Sequence, residues 1–229
     1  MPMTSPTLFR TSEDAPALQK PKKNVKPLPE YYSPQQIKTV ITNAPIKKTE
    51  VRQYSVMAEL AMLFMWRAGL RIEEVRTLRE SDISRDRLPE NTEFAEKGIT
   101  EIYNVRVLGK GGKERIVPMH PELADYFVTY CQIKDIKKGA NLFENPRTGK
   151  LYTRQAIYDW VKKAQKNSGI LETESFSPHT LRHSYARHML FNGVKINTLQ
   201  LWLGHAQLST TLIYLKLVPD PDNQILEIE

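Results

Sequence analysis

Between Gly69 and Tyr214 the chain sets out, at intervals, side chains suited to handling a phosphate: Arg71 in GLRIEEV, Lys110 and Lys113 in GKGGKER, His179 and Arg182 in SPHTLRHSYARHML, and His205, followed nine residues later by Tyr214, in LGHAQLSTTLIYLK. Arg71 follows the most apolar stretch of the chain, so its backbone starts half-buried, and a half-buried guanidinium needs an anion. Glu74, three residues on, is a candidate anion and would make a plain structural pair. His179 and Arg182 are also three apart, near a helix start marked by Ser177-Pro178. Residues so spaced face one way and can share one phosphate through charge-assisted hydrogen bonds. His183 falls on the adjoining face, where a core or supporting role fits equally well. Tyr214, set among Leu212, Ile213 and Leu215, reads by itself as a core or interface aromatic.

Other chemistries fall away on inspection. GKGGKER resembles a phosphate-cradling loop but fails as one. Lys113 is followed by Glu114 instead of Ser or Thr, and Val107 stands where the first glycine belongs. A basic turn between strands, exposed and able to reach a nucleic-acid backbone, fits better. Three of the five histidines lie in one stretch, yet the glutamate of an HExxH site is missing and the single cysteine, Cys131, is remote in sequence. There is no Ser-His-Asp order and no cluster of acids for a metal, so no metal or cofactor is expected. Tyr214 is the nucleophile candidate that remains.

The composition sets the partner class. With 40% hydrophobic and 26% charged residues in 229, the chain has the make-up of a soluble globular domain, and one cysteine points to a reducing, cytoplasmic setting. No N-terminal stretch has the order of a signal peptide. The apolar run Val56–Leu70 carries Glu59 and Arg67 and is too short to span a bilayer, so no membrane partner is expected. The net charge of +7 is uneven: the last thirteen residues hold four acids and no base, leaving +11 on the preceding 216. A basic body suits a polyanion, most simply nucleic acid.

The elements that must position these residues are mostly helical. Residues 1–30 are rich in Pro, Lys and Ser and read as a flexible basic arm. Ser33, Pro34 and Gln36 predict a capped helix start. A long helix over about 50–68 ends at Gly69, and a shorter one covers IEEVRTLRE, where Ile72, Val75 and Leu78 share a face. In EIYNVRVL the alternation of Tyr103, Val105 and Val107 predicts a strand, and ERIVP is its returning partner, making a hairpin. PELADYFVTYCQI and TRQAIYDWVKKAQ read as helices, the second with Ile157, Trp160, Val161 and Ala164 on one face. Three more short helices are expected between His179 and Lys216. The fold class is therefore α+β, mainly α-helical with a small antiparallel β-sheet.

Taken in order, Arg71, Lys110, His179, Arg182, His205 and Tyr214, with their flanks GLRIEEV, GKGGKERIVP, HTLRH and LGH, resemble the catalytic set of the tyrosine recombinases, or phage integrase family. The resemblance runs from about Tyr31 to Lys216 and implies that family's catalytic-domain fold over residues 31–216. It also implies an enzyme that recombines double-stranded DNA site-specifically through a 3′-phosphotyrosyl intermediate and a Holliday junction, without metal or ATP. Tyr214 would be the nucleophile, with His179 either removing its proton or ordering the site, Arg71, Arg182 and His205 the stabilisers of the phosphate, and Lys110 the donor of a proton to the leaving oxygen. Glu74 and Asp82 match acidic family positions that brace the Arg71 helix and its following turn, while His183 and His188 look like packing residues or supports behind the site. Lys113, Arg115, Thr153, Arg154 and Gln155 are expected DNA contacts.

The resemblance further implies an oligomer, a tetramer, on paired sites, and a nucleoid-associated location in the cytoplasm. One departure stands out: family members carry an N-terminal helical domain that clamps DNA, where this sequence has only the basic arm. The tail 217–229, with Ile225, Leu226 and Ile228, is expected to dock on a neighbouring protomer. Two rivals stay open: type IB topoisomerase-like relaxation, and a DNA-binding module without catalysis.

Overall fold

The computed structural model describes residues 31–45, 53–89, 96, 98, 100–109, 112–170, 176–212 and 214. The arm 1–30, the tail 217–229 and Lys110 lie outside the described residues.

A helix that is apolar on every side must be buried on every side, and helix α2 (Gln53–Arg67) obeys this. No residue from Leu60 to Met65 is more than 3% exposed. Around it pack α1 (Pro34–Thr42), α3 (Ile72–Arg76), α4 (Pro121–Lys134), α5 (Arg154–Ser168) and α6 (Pro178–Phe191). The predicted start of α1 is present: Ser33 Oγ accepts from the Gln36 amide, and Gln36 returns a carbonyl to the Ser33 amide. Helices α7 (Ile196–Leu203) and α8 (Leu208–Leu212) complete the order. The expectation of three short helices after His179 holds for two of them, since α6 has 14 residues.

The central helix stops at Gly69, whose φ of +63° lies where glycine is favoured. A Cβ there would come within 2.4 Å of the Tyr185 ring on α6. The missing side chain thus lets the end of α2 abut α6 and turns the chain directly into Arg71. Helix α3 ends at Arg76, earlier than its apolar spacing suggests. The reason is long-range. Leu142 donates to the Leu78 carbonyl and Glu80 to the Ala140 carbonyl, so backbone groups that would extend the helix are taken by the 140–142 segment.

A 3₁₀ turn at Glu80–Asp82 leads into an antiparallel sheet ordered β1 (Ile83–Arg87), β2 (Glu101–Leu108), β3 (Glu114–Pro118). The predicted hairpin is β2–β3, with Val105 opposite Val117. Strand β1 was not expected, because ISRDR offers one apolar residue facing Val105 and is otherwise polar, as an edge strand permits. A two-residue pair, β4 (Glu144–Asn145) and β5 (Lys150–Leu151), precedes α5. The architecture is mainly helical with a small antiparallel sheet. Among the described residues no helix is long and apolar enough to cross a membrane.

Gly69→Ala combines a left-handed backbone with a clash against a buried ring. It should destabilise the protein by more than about 2 kcal/mol, read as a lowered urea midpoint at unchanged slope.

Candidate active site

The buried carboxylate of Glu74 gathers three arginines from three elements. Arg71, preceding α3, donates its backbone N–H to Oε2 at 2.7 Å and its Nη1 to Oε1 at 2.9 Å. Arg115 from β3 approaches end-on, with Nη1 at 2.9 Å from Oε1 and Nη2 at 2.7 Å from Oε2. Arg182 from α6 lies 3.9 Å away. The Glu74, Arg115 and Arg182 side chains are 7%, 10% and 6% exposed, whereas Arg71 is 38% exposed. Burial opposes ionisation of Glu74, but the hydrogen bonds and charges of Arg115, Arg71 and Arg182 outweigh it and hold the carboxyl below its ordinary value.

The same arginines finish helix α7. Its last carbonyls have no partner within the helix, and each guanidinium takes one in succession. Arg115 Nε donates to Trp202 O at 2.7 Å, Arg182 Nη2 to Leu203 O at 2.6 Å, and Arg71 Nη2 to Gly204 O at 3.2 Å. Arg182 Nη1 also holds the Gly69 carbonyl at 2.5 Å. Gly204, with φ +62°, leaves no room for a Cβ, which would meet Arg115 at 3.0 Å. His205 follows at once, and its place is therefore set by the arginine cluster.

His205 Nε2 lies 3.1 Å from Arg182 Nη2, and Nδ1 lies 2.9 Å from Thr211 Oγ1. A guanidinium only donates, so Nε2 accepts and the proton sits on Nδ1. Burial, then Arg182 and Arg71, lower the His205 pKa to about 4. Arg182, lowered to about 10 by burial and then by Arg71, keeps its charge at neutral pH.

Tyr214 is 1% exposed, with its ring stacked 6.4 Å from that of His205 at an angle of 15°. Its hydroxyl meets His183 Nδ1 at 2.6 Å. Burial pushes the phenol up to about 12, against the opposing pull of Arg182 and Arg71. His179 is exposed one helical turn before His183, their ring centroids 6.5 Å apart. Its pKa is lowered by partial burial and by Arg154, Arg182 and Arg71.

Arg71, Arg182, His205 and Tyr214 therefore converge, with His179 at their edge. Arg115, expected as a DNA contact, is turned inward instead: its side chain is 10% exposed and its guanidinium is directed to Glu74 and Trp202. Lys113 is exposed at the hairpin end, while the expected Lys110 contribution lies outside the described residues. Thr153, Arg154 and Gln155 are exposed at the start of α5, where Thr153 caps the helix through the Ala156 amide and Gln155 bonds Asp159. Asp82 accepts from the Arg79 amide at 2.9 Å and lies 3.5 Å from Arg106. His188 packs against Trp66, 5.3 Å between centroids, in keeping with its expected packing role. Sequence reasoning missed the contact of His183 with the hydroxyl, and Thr211 behind His205.

Comparison with known proteins identifies the family. The model of the phage integrase family matches residues 30–219. Tyrosine recombinase XerA of Thermococcus kodakarensis is 32% identical over 211 residues, spanning 91% of this chain and 66% of that protein. The chain thus covers just under two thirds of that relative's length. A crystal structure of XerA recombinase superposes with a TM-score of 0.64 at 24% identity, covering 88% of this chain and 65% of the other. A post-cleavage complex of XerH site-specific recombinase bound to palindromic difH substrate gives 0.64 at 22% identity, covering 88% and 52%.

Glu74→Gln leaves three guanidiniums without their shared anion. It should cost about 3–5 kcal/mol of stability, with Arg115→Met in the same chain restoring part of the loss in urea melts. All five histidines have pKa values lowered by burial. Below pH 6.5 the unfolded chain therefore binds protons that the folded chain refuses. Stability should fall as pH drops from about 6.5 towards 4, measured as a declining melting temperature.

Proposed function

The chain belongs to the phage integrase family, and from that premise we propose that it is a site-specific DNA recombinase that cleaves and rejoins strands through Tyr214. The observation that carries this reading is the convergence of two arginines and a histidine on one buried tyrosine, held by a single carboxylate. The XerH structure bound to difH substrate supports duplex DNA as the partner.

The scissile phosphate would lie against Arg71, Arg182 and His205, with His179 adding a hydrogen bond from the exposed side. Tyr214 Oη attacks phosphorus and the 5′-oxygen departs, leaving a 3′-phosphotyrosyl link. Negative charge grows on the non-bridging oxygens, and fixed cations in a water-poor site stabilise it without reorganising. Lys110 supplies the proton to the leaving 5′-oxygen. The covalent link keeps the energy of the broken bond, so rejoining needs no ATP. Strand exchange between paired sites on a tetramer then passes through a Holliday junction. Lys113 and Arg154 contact the DNA backbone, with Thr153 and Gln155 beside them. Arg115 serves instead to hold Glu74 and the end of α7.

Duplexes of random sequence carrying 5′-bridging phosphorothiolates should trap an SDS-resistant adduct in the presence of EDTA with the wild-type chain. Tyr214→Phe should bind the same DNA and give none; an adduct from that variant would place the nucleophile elsewhere. Lys110→Ala should slow cleavage of ordinary DNA by about 10²–10⁴-fold and of the sulfur-bridged duplex far less. Relaxation of supercoils without exchange between trapped sites would favour a topoisomerase-like activity instead.

A further inference from the structure

The hydroxyl that would attack DNA already has a partner. Tyr214 Oη lies 2.6 Å from Nδ1 of His183, with ring centroids 5.5 Å apart. His183 stands on α6 directly after Arg182, so the rigid helix that presents the phosphate-binding arginine also presents this imidazole. The titratable and charged groups around it are His179 and Arg182 on its own helix, Tyr214, and His205 from the turn after α7. None of these is a carboxylate. Among the described residues no carboxylate there favours an imidazolium, and burial first, then His179 and Arg182, lower the His183 pKa to about 4. A neutral imidazole beside a protonated phenol is an acceptor facing a donor.

Resting on the reading above, we propose that His183, not His179, accepts the proton of Tyr214 during strand cleavage. In this step the Oη–phosphorus bond forms and the phosphorus–O5′ bond breaks. The phenolic proton passes to His183 Nδ1 while Lys110 gives a proton to O5′. Rejoining reverses each transfer, returning the phenolic proton from His183 and the lysine proton from O5′. Transfer is coupled to attack: the phenol becomes acidic only as its oxygen bonds to phosphorus, and the imidazole becomes basic only as anionic charge builds among the surrounding cations. His179 is left to donate to the phosphate.

Two substitutions separate proton acceptance from mere placement. His183→Asn sets an amide oxygen near the position of Nδ1 and keeps an acceptor that cannot take up a proton; His183→Ala removes both. The test is single-turnover adduct formation on the random-sequence 5′-bridging phosphorothiolate pool, whose sulfur leaving group needs no proton from Lys110. Both variants should retain DNA on gels and melt near the wild type. Each should form adduct about 10²–10⁴-fold more slowly at pH 7. Their rates should climb about tenfold per pH unit where the wild-type rate is level. His179→Gln should lower the rate without changing the shape of that profile. His183→Asn acting at the wild-type rate, or slowed with the wild-type pH profile, overturns the assignment. Histidine ¹⁵N spectra check the contact itself, since Tyr214→Phe should move the His183 Nδ1 resonance; an unmoved resonance overturns the assignment alone. No adduct from the wild type, or one from Tyr214→Phe, brings it down together with the parent reading.

Discussion

Three guanidinium groups within reach of one another repel, and at a few ångströms the repulsion amounts to several kcal/mol near a protein surface. The buried carboxylate of Glu74 makes their meeting possible. It ties α3, β3 and α6 to a single point, and the arginines it gathers then take the Trp202, Leu203 and Gly204 carbonyls in turn. Those carbonyls carry the negative end of the α7 dipole, so the cations are favoured there twice over, by the acid and by the helix. His205 is the next residue in the chain. A local charge problem and a helix end are thus solved by the same side chains, and the site is placed as a consequence.

Glu74 balances only part of the charge. With one acid among three arginines the cluster remains net positive, and that field acts on every titratable group nearby. Burial leads in lowering His179, His183 and His205, and the arginines lower them further. On Tyr214 burial and the arginines act in opposite senses, and burial prevails. The arrangement therefore sets a protonated phenol among neutral imidazoles and charged guanidiniums. Among the described residues no group in it is an anion apart from the acid that holds it together.

Much of this was legible in the sequence where the signal was local. Ser33, Pro34 and Gln36 announce α1, the apolar run announces α2, and the alternation around Val105 and Val107 announces the hairpin. Arg71, Arg182, His205 and Tyr214 were picked out through the resemblance to the tyrosine recombinases. What escaped depended on partners distant in sequence. Helix α3 ends early because residues 140–142 take its carbonyl and amide groups. His183 gained its contact with the Tyr214 hydroxyl only when a segment thirty-one residues later folded back on it. Arg115 is the instructive case, since a basic hairpin suggested a DNA contact. Yet strand alternation puts Arg115 on the same face as Val117, opposite the buried Val107, and that parity already pointed inward.

On the proposed reading, the donors also define what a phosphate would have to do on arrival. A guanidinium has five N–H groups. Arg71 directs two to Glu74 and Gly204, and Arg182 directs its own to Gly69, Leu203 and His205, so both keep donors for an incoming oxygen. His205 does not, because its Nε2 accepts from Arg182 while its proton faces Thr211. To donate to a phosphate it must shift its proton or gain one. An anion set among these cations favours the second route, since it offsets the field that keeps the imidazole neutral. As Arg182 turns a donor towards the same anion, Nε2 loses the contact that made it an acceptor. On that reading, charge on the substrate would complete a donor set that the protein alone leaves unfinished, coupling full stabilisation of a transition state to the presence of the group that needs it.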